Sequence, residues 1–70
     1  MSGNLTKARR FTLDMISRSP SGKPIYDLTG HERKAAQWLL DNHLIMTAQL
    51  RGSRYVATEA GLQALKDQGQ

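Results

Sequence analysis

Three groups of side chains in this chain could do chemistry. The first is His31, Arg33, Lys34 and Gln37, which follow Thr29-Gly30 within two helical turns. Arginine and lysine donate hydrogen bonds to anions, arginine through a planar fork, and glutamine both donates and accepts. The second is Arg51-Gly52-Ser53-Arg54, where two guanidinium groups flank a tight Gly-Ser pair and can project together. The third is Lys7, Arg10 and Arg18, with Arg9 and Lys23 nearby. Each has an ordinary counterpart. Charge-rich helix faces are usually solvated, and a charged hairpin tip discourages edge pairing.

Other chemistries are disfavoured. The sequence has no cysteine, so disulfides and Cys-ligated metal sites are excluded. His31 and His43 stand twelve residues apart without a suitably spaced Asp or Glu, and no metal or other cofactor is expected. No glycine-rich phosphate loop, Gly-x-Ser-x-Gly elbow or paired carboxylates appear, and a 70-residue core leaves little room for a deep substrate pocket. The chain is therefore not expected to be an enzyme. Met1-Ser2-Gly3-Asn4 lacks the apolar run of a signal peptide, and Leu44-Ile45-Met46 is too short to span a membrane. A cytoplasmic protein, without a membrane partner, is the expectation.

The net charge of +4 and a pI near 10.0 favour a polyanionic partner. Residues 1–24 hold the whole of this excess, residues 25–50 carry −1 and residues 51–70 carry +1.

The elements that must position these groups follow from hydrophobic periodicity. At about 100° per residue, Leu5, Ala8, Phe11, Thr12, Met15 and Ile16 form one stripe of a helix over 5–18, with Asn4 as its N-cap. Lys7, Arg10, Asp14, Ser17 and Arg18 occupy the opposite face. Pro20 and Gly22 stop this helix, and Ile25 to Leu28 reads as one helical turn or a short extended piece. Thr29 and Glu32 have capping-box spacing for a helix over 30–41. Ala35, Ala36, Leu39 and Leu40 form its inner face, and Asn42 or His43 can end it. Trp38 sits on its margin, where a core or dimer contact is the ordinary role and base stacking or a partner hot spot the sharper one. Strands over 44–50 and 54–58 make a hairpin with its tip at Arg51-Gly52-Ser53-Arg54. Tyr55 and Ala57 share a strand face, Thr58 caps a last helix over 59–67 that buries Leu62 and Leu65, and Gly69 follows its end.

The stretch Tyr55-Val56-Ala57-Thr58-Glu59-Ala60-Gly61, with the hairpin before it, resembles the wing and closing helix of winged helix-turn-helix proteins. Regulators of the MarR and PadR type often end this unit in Tyr-x-Leu-Thr-x-x-Gly, and Ala57 stands here where Leu is usual. Leu39, Leu44 and Ile45 match the family's Leu-x-x-x-Gly-Leu-Ile helix exit, with His43 in place of Gly. The resemblance runs from Leu5 to Lys66. It implies an α+β fold, a small winged helix in the order helix, short turn, helix, two-stranded β-hairpin, helix. One domain would fill residues 1–70, with its ordered core over about 5–67.

The resemblance further implies binding of double-stranded DNA by a bacterial or phage-type transcriptional regulator or accessory factor. His31, Arg33, Lys34 and Gln37 would then face base edges in the major groove. Arg51, Ser53 and Arg54 of the wing, with Lys7 and Arg10, would contact the backbone. A homodimer or adjacent copies would add affinity. The family's second helix and turn take about a dozen residues or more, and Pro20 to Thr29 offers fewer. That shortening and the acidic middle segment motivate a rival, a protein-interaction module such as a host-directed inhibitor or anti-repressor without DNA contact. RNA binding by shape is a third reading.

Overall fold

The computed structural model describes residues 5–19, 21–49 and 51–68. Helix α1 spans Lys7–Arg18 and begins at Thr6, whose hydroxyl accepts from the Arg9 amide (3.3 Å). The start is thus two residues later than periodicity indicated. Asn4, the expected cap, lies outside the described residues. The buried face also differs: Thr12, Leu13 and Ile16 point inward, whereas Phe11 is 64% exposed and Ala8 faces solvent. Leu13 is drawn to the centre because α1 packs between three neighbours, and Gly61 of the last helix approaches its side chain.

After α1 the chain turns through Gly22, which has φ +86° and lies against the backbone of Tyr55. A Cβ there would meet the Tyr55 carbonyl and Val56 Cγ1, each at 2.7 Å. Strand β1, Lys23–Pro24, is only two residues long and leads into a single 3₁₀ turn, Ile25–Asp27. Lys23 Nζ pairs with Asp27 Oδ2 across this turn (3.1 Å).

Helix α2 spans Gly30–Asp41, as its capping signal indicated. Thr29 Oγ1 accepts from the Glu32 amide (3.3 Å), and Glu32 Oε1 accepts from the Thr29 amide (2.9 Å). Ala35, Ala36 and Leu39 are buried, and Leu40 is half-buried. The exit is a Schellman arrangement: Leu44 N–H donates to the Leu39 carbonyl, His43 N–H donates to that of Leu40, and His43 is left-handed at φ 61°. A histidine thus occupies the backbone conformation that favours glycine.

Strands β2, Ile45–Gln49, and β3, Ser53–Ala57, pair antiparallel from Ile45↔Ala57 to Gln49↔Ser53. The reversal lies one residue earlier than expected. Arg51 and Gly52 hold the positive φ angles, while Ser53 and Arg54 already belong to the strand. β1 adds to the other edge of β3, giving the order β1-β3-β2. Helix α3, Glu59–Gln68, starts at Thr58, whose Oγ1 accepts from the Gly61 amide (3.0 Å) and donates to the His43 carbonyl (2.8 Å). Gly61 is the inward residue of its first turn, so Ala64 and Leu65 follow it inward and Leu62 is 50% exposed instead of buried. Gly69 lies outside the described residues.

The core joins Leu13, Ile16, Leu28, Ala36, Leu39 and Ile45, one or more from every helix but α3, which adds Ala64 and Leu65 at its edge. Among the described residues the architecture is α+β: three helices and a three-stranded antiparallel sheet in a small winged-helix-like layout, with the 3₁₀ turn where a second helix would stand. Among the described residues, no helix is long and apolar enough to cross a membrane.

Candidate nucleic-acid interface

The outer side of α2 separates its polar side chains into two sets. Arg33 and Gln37, four residues apart, lean toward the hairpin. They line an open groove of about 550 Å³ with Ile25, Tyr26, Gly52, Ser53 and Tyr55. Helix, 3₁₀ turn and hairpin therefore meet around one concavity. Tyr26 is 74% exposed beside it. Gln37 Nε2 donates to Asp41 Oδ1 (3.0 Å), which fixes the amide along the helix. Ser53 Oγ accepts from Gln49 Nε2 (3.0 Å), so the hydroxyl retains its own proton to donate.

His31 and Lys34 fall on the other flank. They line a cleft of about 200 Å³ with Thr6, Ala8, Arg9 and Ala35, between α1 and α2. The four residues expected to act as one base-facing set are thus divided by the crest of their helix. In sequence Arg9 lies near the basic face of α1. Its guanidinium instead lies over the Trp38 ring, 4.2 Å from the centroid, on the α2 side.

At the hairpin tip, Arg51 and Arg54 do line a common concavity of about 650 Å³, with Ser21 and Gln49. Their situations differ. Arg51 is exposed and left-handed at φ 59°. Arg54, instead of projecting together with it, is half-buried, and one of its terminal nitrogens donates to the Gly22 carbonyl (3.2 Å). It ties β3 to the turn before β1, because the reversal comes early enough to place residue 54 within the sheet.

Lys7 and Arg10 lie elsewhere again, in a concavity of about 260 Å³ with Phe11, Asp14, Arg18 and Leu65. It shares no lining residue with either flank of α2. Within it, Arg18 Nε pairs with Asp14 Oδ2 (3.1 Å).

The acidic middle segment looks different in three dimensions. Asp27 is paired with Lys23, Glu32 is engaged in its capping box and Asp41 accepts from Gln37. Of these carboxylates only Asp27 is paired with a cation; Glu32 and Asp41 are hydrogen-bonded but keep their charge. No group of three His, Cys, Asp or Glu side chains that could hold a metal ion occurs among the described residues.

Two groove residues had no sequence signal pointing to them. Tyr26 belongs to a segment too short for any periodicity, and Tyr55 stands out only as the first residue of the wing motif and as sharing a strand face with Ala57, not as a groove residue. Arg9 could have been found, since positions 9, 12, 13 and 16 form a helical stripe once Leu13 is taken as its centre. No family model, curated protein or solved structure matches the chain.

Proposed function

We propose that this protein binds double-stranded DNA, with α2 in the major groove and the hairpin as a wing on the backbone, as a bacterial or phage-type transcriptional regulator or accessory factor. One observation carries the reading: Arg33 and Gln37 of α2 open onto the same groove as Gly52 and Ser53 of the hairpin. A docked helix has a phosphate strand beside it, and Ser and backbone groups are common phosphate donors. Arg33 and Gln37 have the donors to read guanine or adenine edges. Two copies on adjacent half-sites would raise the affinity of so small a module.

The test is a mobility-shift titration on random duplex at two salt concentrations. Counterion release makes affinity fall steeply with salt. Absence of a shift at low salt would remove the reading.

A protein-interaction module on the same fold is the second reading. Phe11, 64% exposed on α1, opens onto one concavity with Leu65 of α3 and favours it. In that case Trp38→Ala or Phe11→Ala would abolish a protein complex, while salt would have little effect on it.

A further inference from the structure

We propose that the concavity between α1 and α3 docks an acidic segment of a partner protein, with Phe11 as its apolar anchor and Lys7 and Arg10 as the cations that select for acid. The proposal rests on the protein-interaction reading, gives that partner its chemistry, and does not require that the protein bind DNA.

The face arises from the rotation of α1 in the fold. Thr12, Leu13 and Ile16 turn inward, which leaves Lys7, Arg10, Phe11, Asp14 and Arg18 to line, with Leu65 of α3, a recess of about 260 Å³. Phe11 is 64% exposed and Leu65 only half-buried, so the recess offers open apolar surface. At about 1.5 Å of rise per residue, Lys7, Arg10 and Phe11 lie within little more than one helical turn. One short segment can therefore reach all three.

Charge decides what that segment must carry. Lys7, Arg10 and Arg18 against Asp14 give the lining 3 − 1 = +2. Arg18 and Asp14 neutralise each other (3.1 Å), and the excess falls on Lys7 and Arg10, which have no hydrogen bond or ion pair through their side chains among the described residues. A second copy of the chain is a poor occupant, because it brings the same basic face and a net charge of +4. A phosphate strand suits the cations but leaves Phe11 uncovered and meets the Asp14 carboxylate. A peptide with carboxylates beside a large apolar side chain satisfies both features, the apolar group against Phe11 and Leu65 and the acids toward Lys7 and Arg10.

The test is selection from a random peptide library displayed on phage, panned against the whole protein. Enriched peptides are then synthesised and titrated by fluorescence anisotropy against wild type, Phe11→Ser and the double variant Lys7→Glu/Arg10→Glu. All three positions are exposed, and circular dichroism checks that each variant is folded. Enriched sequences are expected to combine Asp or Glu with a large apolar residue. Phe11→Ser should weaken them on the order of tenfold or more. The double variant should weaken them several-fold, by an amount that shrinks as salt is raised, while the Phe11 effect persists. Polyglutamate should bind far more weakly than the selected peptides.

Failure to enrich any peptide, or enrichment of peptides without acid, would overturn the proposal. So would equal affinity for wild type and Phe11→Ser, or polyglutamate binding as tightly as the selected peptides. Displacement of the peptide by short duplex, with duplex affinity also falling in Lys7→Glu/Arg10→Glu, would assign this face to a phosphate backbone instead. The mobility shift on random duplex decides the DNA reading separately, since its groove shares no lining residue with this recess.

Discussion

The backbone of Gly61 lies against the carbonyl of Leu44, so close that a methyl group on residue 61 would overlap it. The same carbonyl accepts from the Thr58 amide (3.1 Å), and Thr58 caps the helix that contains Gly61. Thr58 and Gly61 are therefore two parts of one junction, where the start of α3 meets the exit of α2.

Gly61→Ala should destabilise the protein by about 3 kcal/mol, because backbone cannot yield as a flexible side chain can. Stability near 0.05–0.15 kcal/mol per residue leaves little in reserve for so short a chain. Urea denaturation followed by circular dichroism would measure the loss. A midpoint equal to wild type would show that α3 does not approach Leu44 in this way.

Arg51→Gly separates stability from binding. The residue is left-handed, so glycine should raise stability by about 0.5–1 kcal/mol, strain relief exceeding the entropy that glycine adds to the unfolded chain. Duplex affinity should fall, and the salt slope should shrink by about one unit. A variant that is more stable and binds equally well would make the tip charge a solubility feature.

Arg54→Ala should behave in the opposite manner. Loss of its bond to the Gly22 carbonyl should cost about 1 kcal/mol in thermal or urea unfolding, with only a small change in salt slope. A pronounced slope change at unaltered stability would instead mark Arg54 as a phosphate contact.

Gln37→Ala should cost roughly 1–3 kcal/mol on a preferred site selected from a random pool, and much less on random duplex. Asp41→Asn should tighten binding to any duplex by removing the carboxylate that Gln37 now contacts. Equal losses on selected and random DNA would exclude base reading by Gln37. Weaker binding by Asp41→Asn would mean that Asp41 orients Gln37 more than it repels phosphate.

Much of this fold was readable from local signals. The Thr29–Glu32 capping box set the start of α2, and Thr58 marked the start of α3, because caps involve residues a few positions apart. Rotation about helix axes was not readable. Phe11 and Leu13 are both apolar, and only packing against Gly61 decides which faces inward. The same limit applied to α3, where Leu65 turns inward as expected but Gly61 and Ala64 accompany it in place of Leu62. For the candidate site, residue types were legible and grouping was not. His31 and Lys34 separate from Arg33 and Gln37 because α1 closes one flank of α2 and the hairpin the other, and both relations are long-range.

Two-residue β1 has a mechanical consequence. It pairs with β3 at Tyr55 and Arg54, so the sheet is braced almost to the point where the hairpin reverses. Among the described residues, only Gln49, Arg51, Gly52 and Ser53 overhang that support. At about 3.3 Å per residue, such a beam projects little beyond its brace and bends little under load. In the proposed DNA complex such a braced hairpin would act as a stiff peg carrying Arg51, suited to one groove width and poorly able to follow others.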